Sequence, residues 1–193
     1  MAGKRGLTTE IITNTAIELL EEQGIERLTI QELANRLSVK PASLYKHISG
    51  IDEILNGLAR ASMLQLEVAV RDIAVGRSKD DALMEMAIAY RSFAKEKPEL
   101  YKIFIRSASL EDPGLAETGR AIVRVLYQVL QSYKCDQEDI THFTRGFRSA
   151  LHGFVSLEAA GFFHGNADVN DSFAKMIEGY ISLLGRMERG DSV

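Results

Sequence analysis

The sequence predicts an all-α protein of about nine helices, with a three-helix helix-turn-helix unit in front and a larger helical body behind it. Three observations carry this. Apolar residues recur at helical spacing almost from end to end, only three prolines interrupt 193 residues, and no run alternates with the two-residue period of a strand. A hydrophobic share of 46% beside 26% charged residues is that of an ordinary globular chain, long enough to bury a sizeable core.

The first helix is expected over residues 8–23, with Ile11, Ile12, Ala16, Leu19 and Leu20 on one face and Gly24 as its left-handed stop. Thr29 followed by Glu32 is a capping box opening the second helix, whose buried stripe is Ile30, Leu33, Ala34 and Leu37. Pro41 suits the first turn of a third helix running to about His47, because its missing N–H has no intrahelical partner there. So short a connection forces a sharp crossing, with Leu33, Leu37, Val39, Leu44 and Ile48 filling the angle. A fourth helix follows from Ile51 to about Val75, and Ser78 with Asp81 caps a fifth, which ends before Pro98. Pro98 opens the sixth, "LEDPG" forms a turn, and the seventh covers residues 115–133. The eighth runs from Asp136 to about Gly161, and Asn170 or Asp171 caps the ninth, which ends near Arg186 to Arg189. The domain boundary falls at residue 50, giving a front unit 1–50 and a body 51–193.

Charge separates the two. In residues 1–50, Lys4, Arg5, Arg27, Arg36, Lys40 and Lys46 balance Glu10, Glu18, Glu21, Glu22, Glu26 and Glu32, so the body holds the whole net charge of −4. Within residues 28–49, Arg36, Lys40 and Lys46 outweigh Glu32, which gives a modest positive surface suited to nucleic acid. A helix entering the major groove needs short or flat polar side chains near its N-terminus, where base edges lie within reach. Lys40, Ala42, Ser43, Lys46 and His47 fit: Ser43 can bond a base or phosphate, Ala42 can meet a thymine methyl, and Lys46 suits guanine or phosphate. The Tyr45 hydroxyl is expected to reach a phosphate while its ring packs at the base of the helix. Thr29 and Gln31 present the start of the second helix to a phosphate. The expected partner is double-stranded DNA.

The eighth and ninth helices carry apolar surface wider than one face. A hairpin at the end of a chain of this size is better placed at an edge than at the centre, which suits a homodimer. The expected interface is Leu151, Phe154, Val155, Phe162, Phe173, Ile177, Tyr180, Ile181 and Leu184.

Other classes find little support. There is no Gly-rich phosphate loop, G-x-S-x-G elbow or H-E-x-x-H, so no enzyme, cofactor or metal is expected. His142 and His152 stand ten residues apart on one helix, too far to chelate one ion without a third element. The single Cys135 cannot form an internal disulfide, and no segment is long and apolar enough to span a bilayer, so the expected location is cytoplasmic. An all-helical interaction adaptor is the competing reading; it predicts no salt-dependent DNA affinity.

The run "LTIQELANRLSVKPASLYKHISGIDEIL" resembles the DNA-binding region of TetR-family transcriptional regulators at Thr29, Leu33, Ala34, Leu37, Val39, Ser43, Leu44, Tyr45, His47, Ile48 and Leu55. The resemblance implies a homodimer reading a palindromic operator, most simply as a repressor. It also implies a C-terminal domain that binds a small, largely apolar effector and dimerises through its last two helices. Two positions depart from the pattern. Ile51, preceded by Gly50, stands where the family usually has a phosphate-holding lysine, and Lys40 stands where a serine cap is common. "FRSALHGFVSLEAAGFF" is similar to the eighth helix of a Trp-His-Gly subgroup, with Leu151 in place of tryptophan before His152 and Gly153. Effector contacts are expected from Met63, Met86, Tyr90, Phe93, Tyr101, Phe104, Tyr127, Phe147, Leu151 and His152, with Met84 beside them. The fourth helix, joining both parts, is the natural lever for release.

Overall fold

The computed structural model describes residues 6–74, 79–107 and 113–190, and their regular structure is helical. The helices are α1 (Thr9–Gln23), α2 (Ile30–Arg36), α3 (Pro41–Leu44), α4 (Ile51–Ala74), α5 (Lys79–Glu96), α6 (Pro98–Ser107), α7 (Pro113–Leu130), α8 (Gln137–Ala159) and α9 (Val169–Arg189), with a 3-10 turn at Ile25–Arg27. The chain forms two compact units, Met1–Leu64 with Lys97–Thr118, and Gln65–Glu96 with Gly119–Val193.

In the first unit, Thr8 caps α1 by accepting from Ile11 N–H, and Gly24 ends it at φ 77°. Thr29 caps α2 through Glu32 N–H at 3.1 Å, but Glu32 does not complete the box by reaching back; its carboxylate accepts from the Asn35 side chain. Ser38 makes the turn after α2 at φ 55°, a left-handed conformation that the sequence, lacking glycine there, did not signal. Leu33, Leu44 and Ile48 are buried at the crossing of α2 and α3, whereas Leu37 and Val39 are only half-buried. They share a core with Ile12, Ala16, Leu19 and Leu20 of α1, Ile54 and Leu58 of α4, and Leu100 of α6.

In the second unit, α5, α8 and α9 pack together. Leu83, Met86 and Ala87 face inward with Ile140, Phe143, Phe147, Leu151, Phe154 and Val155, and with Phe173, Ile177 and Leu184. Arg91, on the buried side of α5, forms a two-pronged ion pair with Glu158 of α8 at 2.5 and 2.7 Å and bonds the Asn170 side chain of α9 at 3.0 Å. The Phe173 ring lies 4.8 Å from the guanidinium, so the cation is enclosed by a carboxylate, an amide and an aromatic face. The Arg91 hydrogen bond holds the Glu158 carboxyl below its ordinary range.

Several boundaries differ from expectation. The α-helical part of α3 ends at Leu44, and a turn carries the chain on to His47. Pro113 starts α7 instead of closing a turn, and α7 ends at Leu130 instead of Tyr133. Asp168, not Asn170 or Asp171, caps α9, because Asn170 is drawn to Arg91. Gly76 and Ser78, expected to punctuate the join of α4 and α5, lie outside the described residues.

Candidate nucleic-acid interface

Elements before and after the reading segment brace it. Lys40 is the N-cap of α3 without a side-chain cap bond, and Ser43 N–H donates to Lys40 C=O at 2.8 Å. Leu44 C=O then accepts from both His47 N–H and Ile48 N–H, closing the segment over buried Leu44 and Ile48. Thr9 Oγ1 donates to His47 C=O at 3.4 Å, linking the start of α1 to the end of the segment. On the far side, the Glu53 carboxylate accepts from Ser49 N–H at 2.6 Å and from its hydroxyl at 2.8 Å, which holds that carboxyl below its usual range.

With the apolar residues turned inward, Lys40, Ala42, Tyr45, Lys46 and His47 are exposed and Ser43 is half-buried beside them. Tyr45 is 57% exposed, so its ring is not enclosed at the base of the helix as the sequence suggested; more than half of the residue stands in solvent. Thr29 and Gln31 are exposed at the start of α2. Thr29 Oγ1 accepts from Glu32 N–H and so keeps its own proton to donate, while Gln31 Nε2 donates to Asn35 Oδ1 at 3.0 Å. Arg36 does not join this surface. Its guanidinium grips Glu22 of α1 at 2.6 and 2.7 Å, so the positive balance of residues 28–49 rests on Lys40 and Lys46 alone. Ile51, half-buried at the start of α4, offers no donor to a phosphate.

The ten effector candidates divide between the units. Met63, Tyr101 and Phe104 belong to the first, where the Tyr101 and Phe104 rings lie 6.0 Å apart on α6. Met86, Tyr90, Phe93, Tyr127, Phe147, Leu151 and His152 belong to the second. Phe147 stacks on Phe143 and meets the edge of Tyr180, which makes it a joint between α8 and α9. The Tyr127 hydroxyl reaches Thr141 Oγ1 at 3.2 Å, and His152 Nδ1 lies 3.4 Å from Ser156 Oγ. Between them on α8, Thr144 is buried with no partner for its hydroxyl.

Of the nine residues expected at a dimer interface, Leu151, Phe154, Val155, Phe173, Ile177 and Leu184 are buried inside their own chain. Side chains so far enclosed by their own helices leave little surface for a partner. Tyr180 and Ile181 are half-buried and Phe162 is 66% exposed. On the opposite side of α8, helical spacing aligns Ser149, Gly153, Ser156 and Ala160, with Leu157 at the flank 45% exposed. On α9, Met176, Gly179 and Leu183 form the corresponding strip, half-buried or exposed. A Cβ built on Gly153 or Gly179 meets nothing within 4 Å.

The sequence missed Arg91, Glu158 and the orphan Thr144 hydroxyl. Arg91 had left a signal, a cation in register with Leu83, Ala87 and Ala94 on one face of α5. Among the described residues, no group of histidine, cysteine and acidic side chains could hold a metal, and no helix is long and apolar enough to cross a membrane.

Comparison with known proteins agrees with this geometry. Residues 12–58 match the family described as bacterial regulatory proteins, tetR family, and residues 83–180 match the tetracyclin repressor-like C-terminal domain. An uncharacterized HTH-type transcriptional regulator of Mycobacterium tuberculosis is 33% identical over 184 residues, covering 95% of this chain and 83% of its own. Another, from Bacillus subtilis, is 30% identical over 185 residues, covering 95% and 96%. The structure of a transcriptional regulator described as a TetR from Streptomyces coelicolor shares the fold with a TM-score of 0.77 at 20% identity, covering 95% of this chain and 100% of that one.

Proposed function

The chain belongs to the TetR family of transcriptional regulators and is a DNA-binding regulator, not an enzyme; from that premise we propose that it works as a homodimeric repressor. Residues 1–50 of each protomer read one half of a palindromic operator, and a small, largely apolar effector taken up by residues 51–193 releases it. The observation that carries this reading is the exposed set Lys40, Ala42, Tyr45, Lys46 and His47, with half-buried Ser43 beside them, held over a buried Leu33, Leu44 and Ile48. Side chains of that size on such a support suit base edges in a major groove. Lys46 and Ser43 address bases, Lys40 and Tyr45 flank them on phosphates, and Thr29 and Gln31 anchor the start of α2 on the backbone. Two copies, with reading segments about 34 to 36 Å apart, would fit successive major grooves.

Ser149, Gly153, Ser156 and Leu157 of α8 with its C-cap Ala160, and Met176, Gly179 and Leu183 of α9, offer the surface for the second copy. The effector enters among Met86, Tyr90, Tyr127 and His152, with Thr144 as a buried polar group able to meet it. A footprint of the purified protein on the DNA flanking its own gene, at physiological salt with excess competitor, tests the operator reading. A protected palindrome with half-sites about one helical turn apart supports it. Equal retention of every sequence with no protected site would refute it.

A further inference from the structure

The first turn of α6 has no cap of its own. Pro98 carries no N–H, Tyr101 N–H bonds Lys97 C=O at 2.9 Å, and the lysine side chain preceding the helix has no acceptor to offer the two amides between. Those amides, of Glu99 and Leu100, donate instead to the Glu21 carboxylate of α1, at 3.3 and 2.7 Å. The cap of α6 is thus supplied from 78 residues away, within one compact unit in which α6 also buries Leu100 and Ile103. The next residue on α1 faces the other way: Glu22 holds Arg36 of α2 through two bonds. Consecutive carboxylates near the end of α1 therefore fasten the reading unit on one side and α6 on the other.

We infer that Glu21 is a positioning residue for operator binding, coupling the orientation of the reading unit to the state of the α6 N-terminus. A carboxylate on two helix-start amides is a directional, charge-assisted contact with few alternative geometries. If α6 turns or frays at Pro98, the carboxylate must let go, and α1 loses one of the two carboxylate ties near its C-terminal end. The link is reciprocal: DNA that favours one pose of the reading unit must favour the capped state of α6 to the same degree. The inference rests on the operator reading above and adds a second connection beside the continuous helix α4.

Amide hydrogen exchange at Glu99 and Leu100, with and without a duplex selected by the protein from random DNA, provides the test. In the unaltered protein, saturating duplex is expected to slow both amides by about fivefold or more, the low end of typical coupling between sites. Glu21→Ala is expected to speed their exchange about fivefold without DNA, as loss of a cap does, and to abolish the further effect of the duplex. Glu21→Gln keeps a carbonyl oxygen at the same reach and is expected to restore part of that effect. A cap that merely stabilises the fold would lower the melting temperature and leave the ratio of exchange rates with and without duplex intact, which overturns the proposal. So would an unaltered protein whose binding leaves the two amides unchanged. Failure to select any duplex would instead strike the operator reading, which separates the two.

Discussion

Gly153 lies inside α8 and Gly179 inside α9, and in one chain nothing accounts for either. A glycine inside a helix costs roughly 0.8 to 1 kcal/mol relative to a good helix former, and a Cβ added at either position meets nothing within 4 Å. An isolated protomer should therefore gain about 1 kcal/mol from Gly153→Leu and as much from Gly179→Leu. A homodimer built on this face predicts the opposite sign for association. Overpacking costs about 1 to 3 kcal/mol at each site, and in a two-fold interface every substitution occurs twice, so one variant should weaken the dimer by about 2 to 6 kcal/mol. That is roughly thirtyfold or more in dissociation constant. Sedimentation across a concentration series reads the dimer, and thermal unfolding below the dissociation concentration reads the protomer. Raised stability with unchanged dimer mass would refute placing the interface on Gly153 and Gly179.

Three further outcomes follow from the packing. Arg91 and Glu158 retain only 11% and 17% of their side-chain exposure. Arg91→Met leaves the Glu158 carboxylate only its 3.3 Å contact with Lys95, and Glu158→Gln leaves the Arg91 guanidinium on a neutral amide beside Asn170. Each is therefore expected to cost about 2 kcal/mol in urea titration at fixed protomer concentration, while the double substitution Arg91→Met with Glu158→Leu recovers most of it. The Glu158 carboxyl is depressed in the folded state, so its contribution is whole above the ordinary value of 4.5 and is lost as pH falls through the lower folded value; the Glu158→Gln protein should lack that acid-side loss. Thr144→Val removes a buried hydroxyl without a partner and should raise the melting temperature by about 2 to 4 °C; a lower temperature would mean that the hydroxyl is paired in solution. Ile51→Lys places a cation where the fold presents the start of α4 and should tighten operator binding, steepening the salt dependence by about 0.9 per protomer; an unchanged slope would place that residue away from the phosphates.

What could be read from the sequence was local. Thr8 and Gly24 bound α1, Thr29 opens α2 and Asp136 opens α8, because a cap and the helix it starts lie within four residues of each other. The errors arose where a distant partner decided. Asn170 has the chemistry of a cap, but Arg91, 79 positions away, engages its side chain, and Asp168 caps α9 in its place. Nothing local on α1 sets Glu21 apart from its acidic neighbours, and its partner amides come from α6, 78 and 79 positions away. Arg36 counted toward a positive surface that Glu22 in fact neutralises.

The hairpin of α8 and α9 shows the same limit at the level of a face. Periodicity revealed that both helices were too apolar for one stripe, but could not say which sector served the chain and which a partner. Side-chain size makes that division. Burying Phe143, Phe147, Phe154 and Phe173 withdraws far more apolar area from water than burying alanine or glycine, so the protomer's own core takes the large residues first. The small residues are left outward, and a helix face of glycine, serine and alanine lets a second helix approach closely. The large apolar residues therefore mark where the chain closes on itself, and the proposed dimer rests on the small ones left outward.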